Sequence, residues 1–276
     1  MIQPFREKIW FDDSILSCDR IEEGLLAAGY TVYEVVRVMD GHILFEQDHL
    51  RRLRVSARNA GFDLWLSDSQ ISHWLAKLVS ENGSPDGNIE LSVNYRNETC
   101  PHTRHIMAWY IPHVYPSSGY YETGVPTVFY FSERVNPGTK YRNMPLKEAA
   151  RAMMDARQAY EVILVDKQGM ITEGSRSNIF FIHENTICTA PVDKVLPGIT
   201  RMKVVELAKH AGIEVVEKCI HYQEIEKQEA AFITGTSPKV LPIRQIENTN
   251  FDIAHPLLVH IIQLYDDCIR QYLSRP

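Results

Sequence analysis

Three groups of residues in this chain have types and spacing that could do chemistry. They are Lys140, the run Glu173-Gly174-Ser175-Arg176-Ser177-Asn178, and the run Leu196-Pro197-Gly198-Ile199-Thr200-Arg201. They offer a candidate imine-forming amine, an acid and a helix start ready for an anion. A Pro-Gly turn that opens a helix leaves backbone N–H groups without intrahelical partners, and those donors together with the helix dipole attract phosphate. A lysine is a nucleophile only as the free amine, so it needs burial or nearby positive charge to lower its pKa. Together the three groups could form the floor for a phosphorylated cofactor.

The elements that must position them can be read from pattern. After Gly198 a helix is expected, with Met202, Val205, Leu207, Ala208 and Ala211 near one face and Gly212 closing it. Ahead of it, Glu161–Asp166 and Met170–Glu173 form a hairpin around Lys167-Gln168-Gly169, which puts the acid at a strand end. Upstream, Thr31–Met39 and His42–Phe45 flank an Asp40-Gly41 turn, a second hairpin signal. Helices follow at about Glu46–Ala60 and Ser67–Glu81, then the alternating strand Ile89–Arg96 and a strand Ile106–Ile111. The Pro- and Gly-containing stretch 112–126 reads as a linker, dividing the chain into 1–115, a linker at 116–126, and 127–276. The second part carries a strand at Thr127–Phe131, a helix at Leu146–Tyr160, strands near Glu214–Val216 and Ala230–Thr234, and a last helix at Pro256–Tyr272. Strands and helices mix without strict alternation, which indicates an α+β, two-domain architecture.

Composition narrows the class. A net charge of −6 with no Lys/Arg-rich run argues against nucleic-acid partners. Arg51-Arg52-Leu53-Arg54 is the densest basic spot, and it sits in a helical pattern, so part of it must face outward. Cys18, Cys100, Cys188, Cys219 and Cys268 show no metal-ligand spacing and are odd in number, which favours free thiols in a reducing cytoplasm and no metal site. The first residues lack the build of a signal peptide, and no apolar run approaches membrane-spanning length.

The motifs resemble those of the class IV (fold type IV) pyridoxal-phosphate aminotransferases. The resemblance rests on Lys140-x-x-Asn143, Glu173-Gly174-Ser175-x-Ser177-Asn178, Leu196–Arg201 and Thr234-Gly235-Thr236-Ser237, in that order, and on Val32–Val38 and His49–Leu53 upstream. It runs from about Tyr30 to Ile243 and is nearest to the D-amino-acid aminotransferase pattern. It implies a small N-terminal α/β domain, a larger C-terminal domain with a barrel-like mixed sheet, and pyridoxal 5′-phosphate as cofactor. Lys140 would form the Schiff base and then shuttle the proton at the substrate Cα; Glu173 would pair with the pyridine nitrogen. Ile199 and Thr200 would bind the phosphate with backbone N–H groups, Thr236 would add a hydroxyl, and Arg52 would offset the dianion. Arg176 and Asn178 lie in the turn that holds the cofactor, with Asn178 ordering the loop beneath it. Tyr33 would line the substrate pocket. Relatives place the active site between two domains and draw residues from a second subunit, so a homodimer acting on small amino and 2-oxo acids is implied.

The sequence departs from that pattern where substrate carboxylates are read. An Arg-x-His pair is expected on the loop after Ile89–Arg96; this chain has Asn97–His105 with the spacing broken, leaving Arg104 as a substitute. Branched-chain enzymes carry an arginine within that strand, and the nearest position here is Glu90. Glu90, Ser92, Asn94 and Arg96 share one face of the strand. Arg96 is then the better anion binder, and Glu90 would repel a carboxylate unless paired. Pro145 stands where branched-chain enzymes carry a tyrosine. Arg176, Ser237 and Lys239 would add polar and cationic groups suited to a substrate with a second carboxylate. The expected activity is transamination between a D-amino acid, such as D-alanine or D-glutamate, and 2-oxoglutarate or pyruvate. A branched-chain L-amino-acid aminotransferase is the alternative, an aminodeoxychorismate lyase a weaker one, and a non-catalytic cofactor-binding protein a third.

Overall fold

The computed structural model describes residues 4–20, 29–96 and 103–274. The chain forms two compact units. The first comprises Met1–Val114, Thr139–Arg142 and Gln271–Pro276; the second comprises Tyr115–Gly138 and Asn143–Arg270.

The first unit is built on a six-stranded antiparallel sheet. Its strands are β1 (Lys8–Phe11), β2 (Ser14–Ser17), β3 (Tyr30–Met39), β4 (His42–Ile43), β5 (Gly87–Arg96) and β6 (Thr103–Ile111), in the order β2-β1-β6-β5-β3-β4. Helices α1 (Glu46–Asn59) and α2 (Asp68–Glu81) accompany it. The β3–β4 turn forms as expected: Asp40 and Gly41 both take positive φ, the conformation a two-residue hairpin loop needs. Ser67 caps α2 through the Gln70 N–H while the Gln70 side chain accepts from the Ser67 N–H, a reciprocal box.

Period-2 alternation gives the sheet two different faces. Val32, Val36 and Val38 on β3, Ile89, Leu91 and Val93 on β5, and Ile106, Ala108 and Tyr110 on β6 belong to one core with Leu50, Leu53, Leu75 and Leu78 from the helices. The register pairs Tyr33 with Ser92 and Thr31 with Asn94, so the opposite face of β3 and β5 is polar. Farther along that face, near β1, Ile9, Met107 and Trp109 form a small separate apolar cluster.

The second unit contains α3 (Ser118–Thr123), β7 (Val125–Phe131), α4 (Met144–Arg157), β8 (Glu161–Val165), β9 (Ile171–Gly174), β10 (Asn178–His183) and β11 (Thr186–Thr189). It continues with α5 (Ile199–His210), β12 (Glu214–Glu217), β13 (Ala230–Gly235), β14 (Lys239–Ile246), β15 (Thr249–Asn250) and α6 (Pro256–Leu273), whose last residues fall in the first unit. Strands β10, β13, β14, β7, β8 and β9 pair in succession, and β9 pairs back to β10 through Glu173 and Asn178. This closes a six-stranded barrel, and closure leaves those strands no open edge. Ile163, Ile171, Ile179, Phe181, Ile233, Leu241 and Ile243 contribute to its apolar cluster.

Three details differ from the pattern-based reading. The stretch expected as a linker contains helix α3 and the start of β7. Thr139–Arg142 and the chain end lie with the first unit, not with the residues around them in sequence. Hydrogen bonds explain both placements. Tyr33 N–H donates to the Lys140 carbonyl at 3.0 Å and Arg142 N–H to the Thr31 carbonyl at 3.2 Å. Tyr272 donates its hydroxyl to the Ile43 carbonyl at 3.2 Å. The buried stripe of α5 is Arg201, Val204, Val205 and Ala208, whereas Met202 is exposed. Arg201 displaces Met202 from that stripe because its guanidinium finds acceptors there, at the Ala190 carbonyl and Glu217, both at 2.9 Å.

Leu75 is fully buried on α2 in the first core. Leu75→Ala should lower unfolding free energy by about 2–5 kcal/mol, read in denaturant melts, through lost transfer energy and the cavity left behind.

Candidate active site

The residues singled out by sequence fall into two sets, one in each unit. In the first unit, Lys140 lies on the short segment clipped to β3. Its N–H donates to the Ser56 hydroxyl of α1 at 3.1 Å, and its carbonyl accepts from Tyr33. An isolated bridge pairs Val32 with Tyr141, so Lys140 stands beside Tyr33 and Arg142 beside Thr31. Lys140 and Arg142 are two apart in an extended stretch and so project to the same side. That side is the polar face: Lys140 Nζ lies 5.0 Å and Arg142 Cζ 5.7 Å from the centre of the Tyr33 ring. Glu90 is paired, as a carboxylate on this face must be. It accepts from the Arg142 guanidinium and, at 2.8 Å, from the Ser92 hydroxyl.

Arg52 occupies the opposite, helix-side face. It reaches Glu34 of β3 with two N–H groups, Nε to Oε1 at 2.8 Å and Nη2 to Oε2 at 2.6 Å. His49 Nδ1 is 2.8 Å from Glu34 Oε2; an ionised carboxylate only accepts, so that nitrogen bears the proton. Glu34 is fully buried. Burial by itself would raise its pKa, but the charge and hydrogen bonds of Arg52, helped by His49, outweigh this and hold it at about 2. His49 is pushed below its ordinary value, first by burial and then by the charges of Arg52 and Lys140, with Glu34 opposing. Of the other basic residues of α1, Arg51 is exposed and Arg54 bonds Asp68 at 2.6 Å.

The remaining carboxylate-reading candidates of this unit separate. Arg96 is on β5 with the parity of Glu90, Ser92 and Asn94. Arg104 pairs with Tyr95, so it lies on the helix-side face, stacked on Trp65 at 4.7 Å. Residues 97–102 of the expected Arg-x-His loop lie outside the described residues.

In the second unit, Glu173 ends β9 and is 2% exposed. Arg134 Nε donates to its Oε1 at 2.7 Å and the Leu196 N–H to its Oε2 at 3.2 Å. Leu196 belongs to the Pro-Gly turn, so the acid is tied directly to the start of α5. Asn178 strengthens that tie by donating its amide to the Leu196 carbonyl at 2.9 Å. Gly198 makes the approach possible: a Cβ there would stand 2.0 Å from Asn178 Oδ1. Among the described residues no side chain caps α5, which leaves its first N–H groups, at Ile199 and Thr200, able to meet an anion. The Thr200 hydroxyl accepts from Tyr265 at 3.4 Å, and Thr236 and Ser237 form the turn between β13 and β14.

Two further candidates are engaged elsewhere. Arg176, 60% exposed at its side chain, donates to the Tyr160 carbonyl at 2.8 Å and lies over the Tyr160 ring. Lys239 bonds Asp266 at 2.8 Å. Sequence reading missed Arg134, Arg142, Glu34, His49 and Glu161. Glu161 is fully buried and accepts the hydroxyls of Ser175 at 2.6 Å and Ser177 at 2.9 Å, holding the turn after Glu173. A buried carboxylate needs several donors, so the two serines flanking Arg176 were a usable signal for it. No comparable local signal marks Arg134.

Within the second unit, an oriented carboxylate and a helix start without a side-chain cap, with adjoining hydroxyls, are the groups a phosphorylated pyridine would need; within the first, an amine is held by its own backbone. Comparison with known proteins identifies the family. The family described as amino-transferase class IV matches residues 31–246. D-alanine aminotransferase of Bacillus licheniformis is 30% identical over 244 residues, covering 86% of each chain. The crystal structure of branched-chain aminotransferase from Thermoproteus uzoniensis with norvaline superposes with a TM-score of 0.85 at 24% identity, covering 96% of this chain and 95% of that one. The branched-chain enzyme of Thermobaculum terrenum in its PLP form gives 0.84 at 20% identity over 97% and 95%.

The Glu34 triad makes a pH-dependent contribution of defined sign. Against an ordinary 4.5, a folded value of about 2 means that the unfolded chain takes up this proton first on acidification. Its stabilisation is complete above pH 4.5 and fades toward pH 2. His49, lowered from 6.5, likewise favours the unfolded chain below that pH. Tm should therefore fall with acidification from about pH 6.5, and more steeply below 4.5; His49→Gln should flatten the upper part. Glu34→Gln, which strands a buried guanidinium, should cost about 3–5 kcal/mol at neutral pH by denaturant melt.

Proposed function

The chain belongs to the class IV aminotransferases, which depend on pyridoxal 5′-phosphate, and from that premise we propose that it transfers an amino group from a D-amino acid, D-alanine or D-glutamate, to 2-oxoglutarate or pyruvate. The observation that carries this reading is the seating of Lys140, whose backbone is bonded to Tyr33 and Ser56 while its amine lies over the Tyr33 ring. The D-alanine aminotransferase relative and the Tyr33-Glu34-Val35-Val36 segment support the D-preference. The branched-chain likeness is the specific ground for a second reading, L-leucine as donor. Pro145 and the replacement of a strand arginine by Glu90 weigh against it.

When bound, the cofactor supplies the aldehyde and the electron-withdrawing ring that accepts charge from the substrate Cα. Lys140 would contribute the amine and hold the proton that leaves and returns to that carbon. Glu173, oriented by Arg134 and Leu196, would accept the pyridine N–H. Ile199 and Thr200 would donate backbone N–H groups to the phosphate, the Thr236 hydroxyl would add a donor, and Arg52, aligned by Glu34, would provide positive charge. Tyr33 would wall the substrate. Arg96, Arg104, Ser237 and Lys239 remain proposals for its carboxylates, and Arg176 one for the cofactor turn.

Among the described residues no helix is long and apolar enough to cross a membrane. Among the described residues Cys18, Cys188, Cys219 and Cys268 form no disulfide, which accords with a reducing compartment, and the reading includes the cytoplasm and a two-fold homodimer. Sedimentation equilibrium checks the dimer.

Lys140→Ala should abolish the absorbance of the cofactor–lysine adduct and lower turnover by at least about 10²–10⁴, the range for losing a general acid–base. Mixing the holoenzyme with single amino acids should change its absorbance with D-alanine or D-glutamate and not with L-leucine. Rapid change with L-leucine alone would move the assignment to the branched-chain reading, and no change with any donor would end it.

A further inference from the structure

Arg142 was not singled out by the sequence. Three observations set it apart on the polar face of β3 and β5. It shares the Tyr33 ring with Lys140, because the two residues alternate on one extended segment. Its guanidinium is anchored through Nη2, to Glu90 and, at 3.5 Å, to the Ser92 hydroxyl. Its Nε is buried and has no acceptor among the described residues. A half-buried guanidinium whose Nε is a spare buried donor, beside the Lys140 amine, is an incomplete arrangement, since an unmet buried donor costs stability unless another acceptor arrives. A carboxylate is the acceptor whose shape matches the fork. Glu90 explains how such a cation is kept in a half-buried place without repelling Lys140: it offsets the charge and fixes the side chain's direction.

We infer that Arg142 binds a carboxylate of the incoming amino or oxo acid, with Glu90 as its positioning residue. This rests on the transaminase reading above, and it names which cation selects the substrate. Glu90, Ser92 and Arg142 thus stand in for the strand arginine that the sequence lacks, the charge having moved from the strand to the residue two places after the lysine.

Sign separates this role from that of a structural ion pair. Arg142→Met removes the anion site; Glu90→Gln removes the competing negative charge and leaves the hydrogen-bonding amide. Isothermal titration of the holoenzyme with glutarate, an unreactive dicarboxylate, reads binding whether or not transamination occurs. Arg142→Met should weaken glutarate about tenfold or more, as expected for losing a charged hydrogen bond, and raise KM for 2-oxoglutarate far more than it lowers kcat. Glu90→Gln should tighten glutarate, and Arg142→Lys should restore part of the affinity. Failure of the wild-type holoenzyme to bind glutarate, unchanged affinity in Arg142→Met, or equal weakening in both variants would overturn the inference. A wild type that binds glutarate through Arg142 yet transaminates nothing would instead sink the functional reading and leave the anion site standing.

Discussion

The interaction on which the first unit's chemistry depends is a backbone one: the pairing of Thr139–Arg142 with the free edge of β3. Sheet edges offer unpaired N–H and C=O groups, and here that edge is used to hold the segment that carries Lys140. Two hydrogen bonds flank the Val32–Tyr141 bridge and a third ties Lys140 to α1. The consequence is directional. Because alternate residues of an extended segment face the same way, one register places both Lys140 and Arg142 over Tyr33, and a slip of one residue would turn both away. The position of the Lys140 side chain is thus set by main-chain bonds that do not change with protonation.

The two faces of the same sheet do different work. The helix-side face buries the valines and isoleucines of the core, yet it also buries Glu34, His49 and Arg52. Such a group is no bargain for stability, because desolvating charges offsets most of their attraction, and well-packed apolar residues often do as well. What the pair provides is orientation: a bidentate guanidinium has one allowed plane. The polar face shows the same device at Glu90 and Arg142, and the barrel shows it at Glu173 and Arg134. In each case a group expected to meet an ionic partner already has a counter-charge that fixes its direction, which lowers the reorganisation needed when the partner arrives.

How much of this was legible in the sequence depended on whether a feature is local. The Asp40-Gly41 hairpin, the alternation of β5 and the Gly198 helix start all follow from neighbouring residues, and each formed where expected. Strands β10 and β14 were harder to see. Asn178–Ile182 is buried at every residue and therefore shows no alternation, and β14 contains Pro242, which pattern rules count against a strand. The acid, the lysine and the helix start were singled out because they carry the family motif. The counter-ions of Glu173, Glu90 and Arg52 were not, because Arg134, Arg142 and Glu34 come from places 39, 52 and 18 residues distant from those partners, where no periodicity applies.

Gly198 shows why the barrel's part of the site tolerates little redesign. Glu173 and Asn178 are opposite one another at the pairing that closes the barrel, and both reach Leu196, one through its N–H and the other through its carbonyl. The turn can come that near only because residue 198 has no side chain where Asn178 Oδ1 lies. Strand closure, acid and helix start are therefore one mechanical unit: moving the turn outward to admit a Cβ would loosen the carboxylate's donor and shift the first N–H groups of α5 together. An enlarged residue at 198 acts on acid and anion site at once, without touching either.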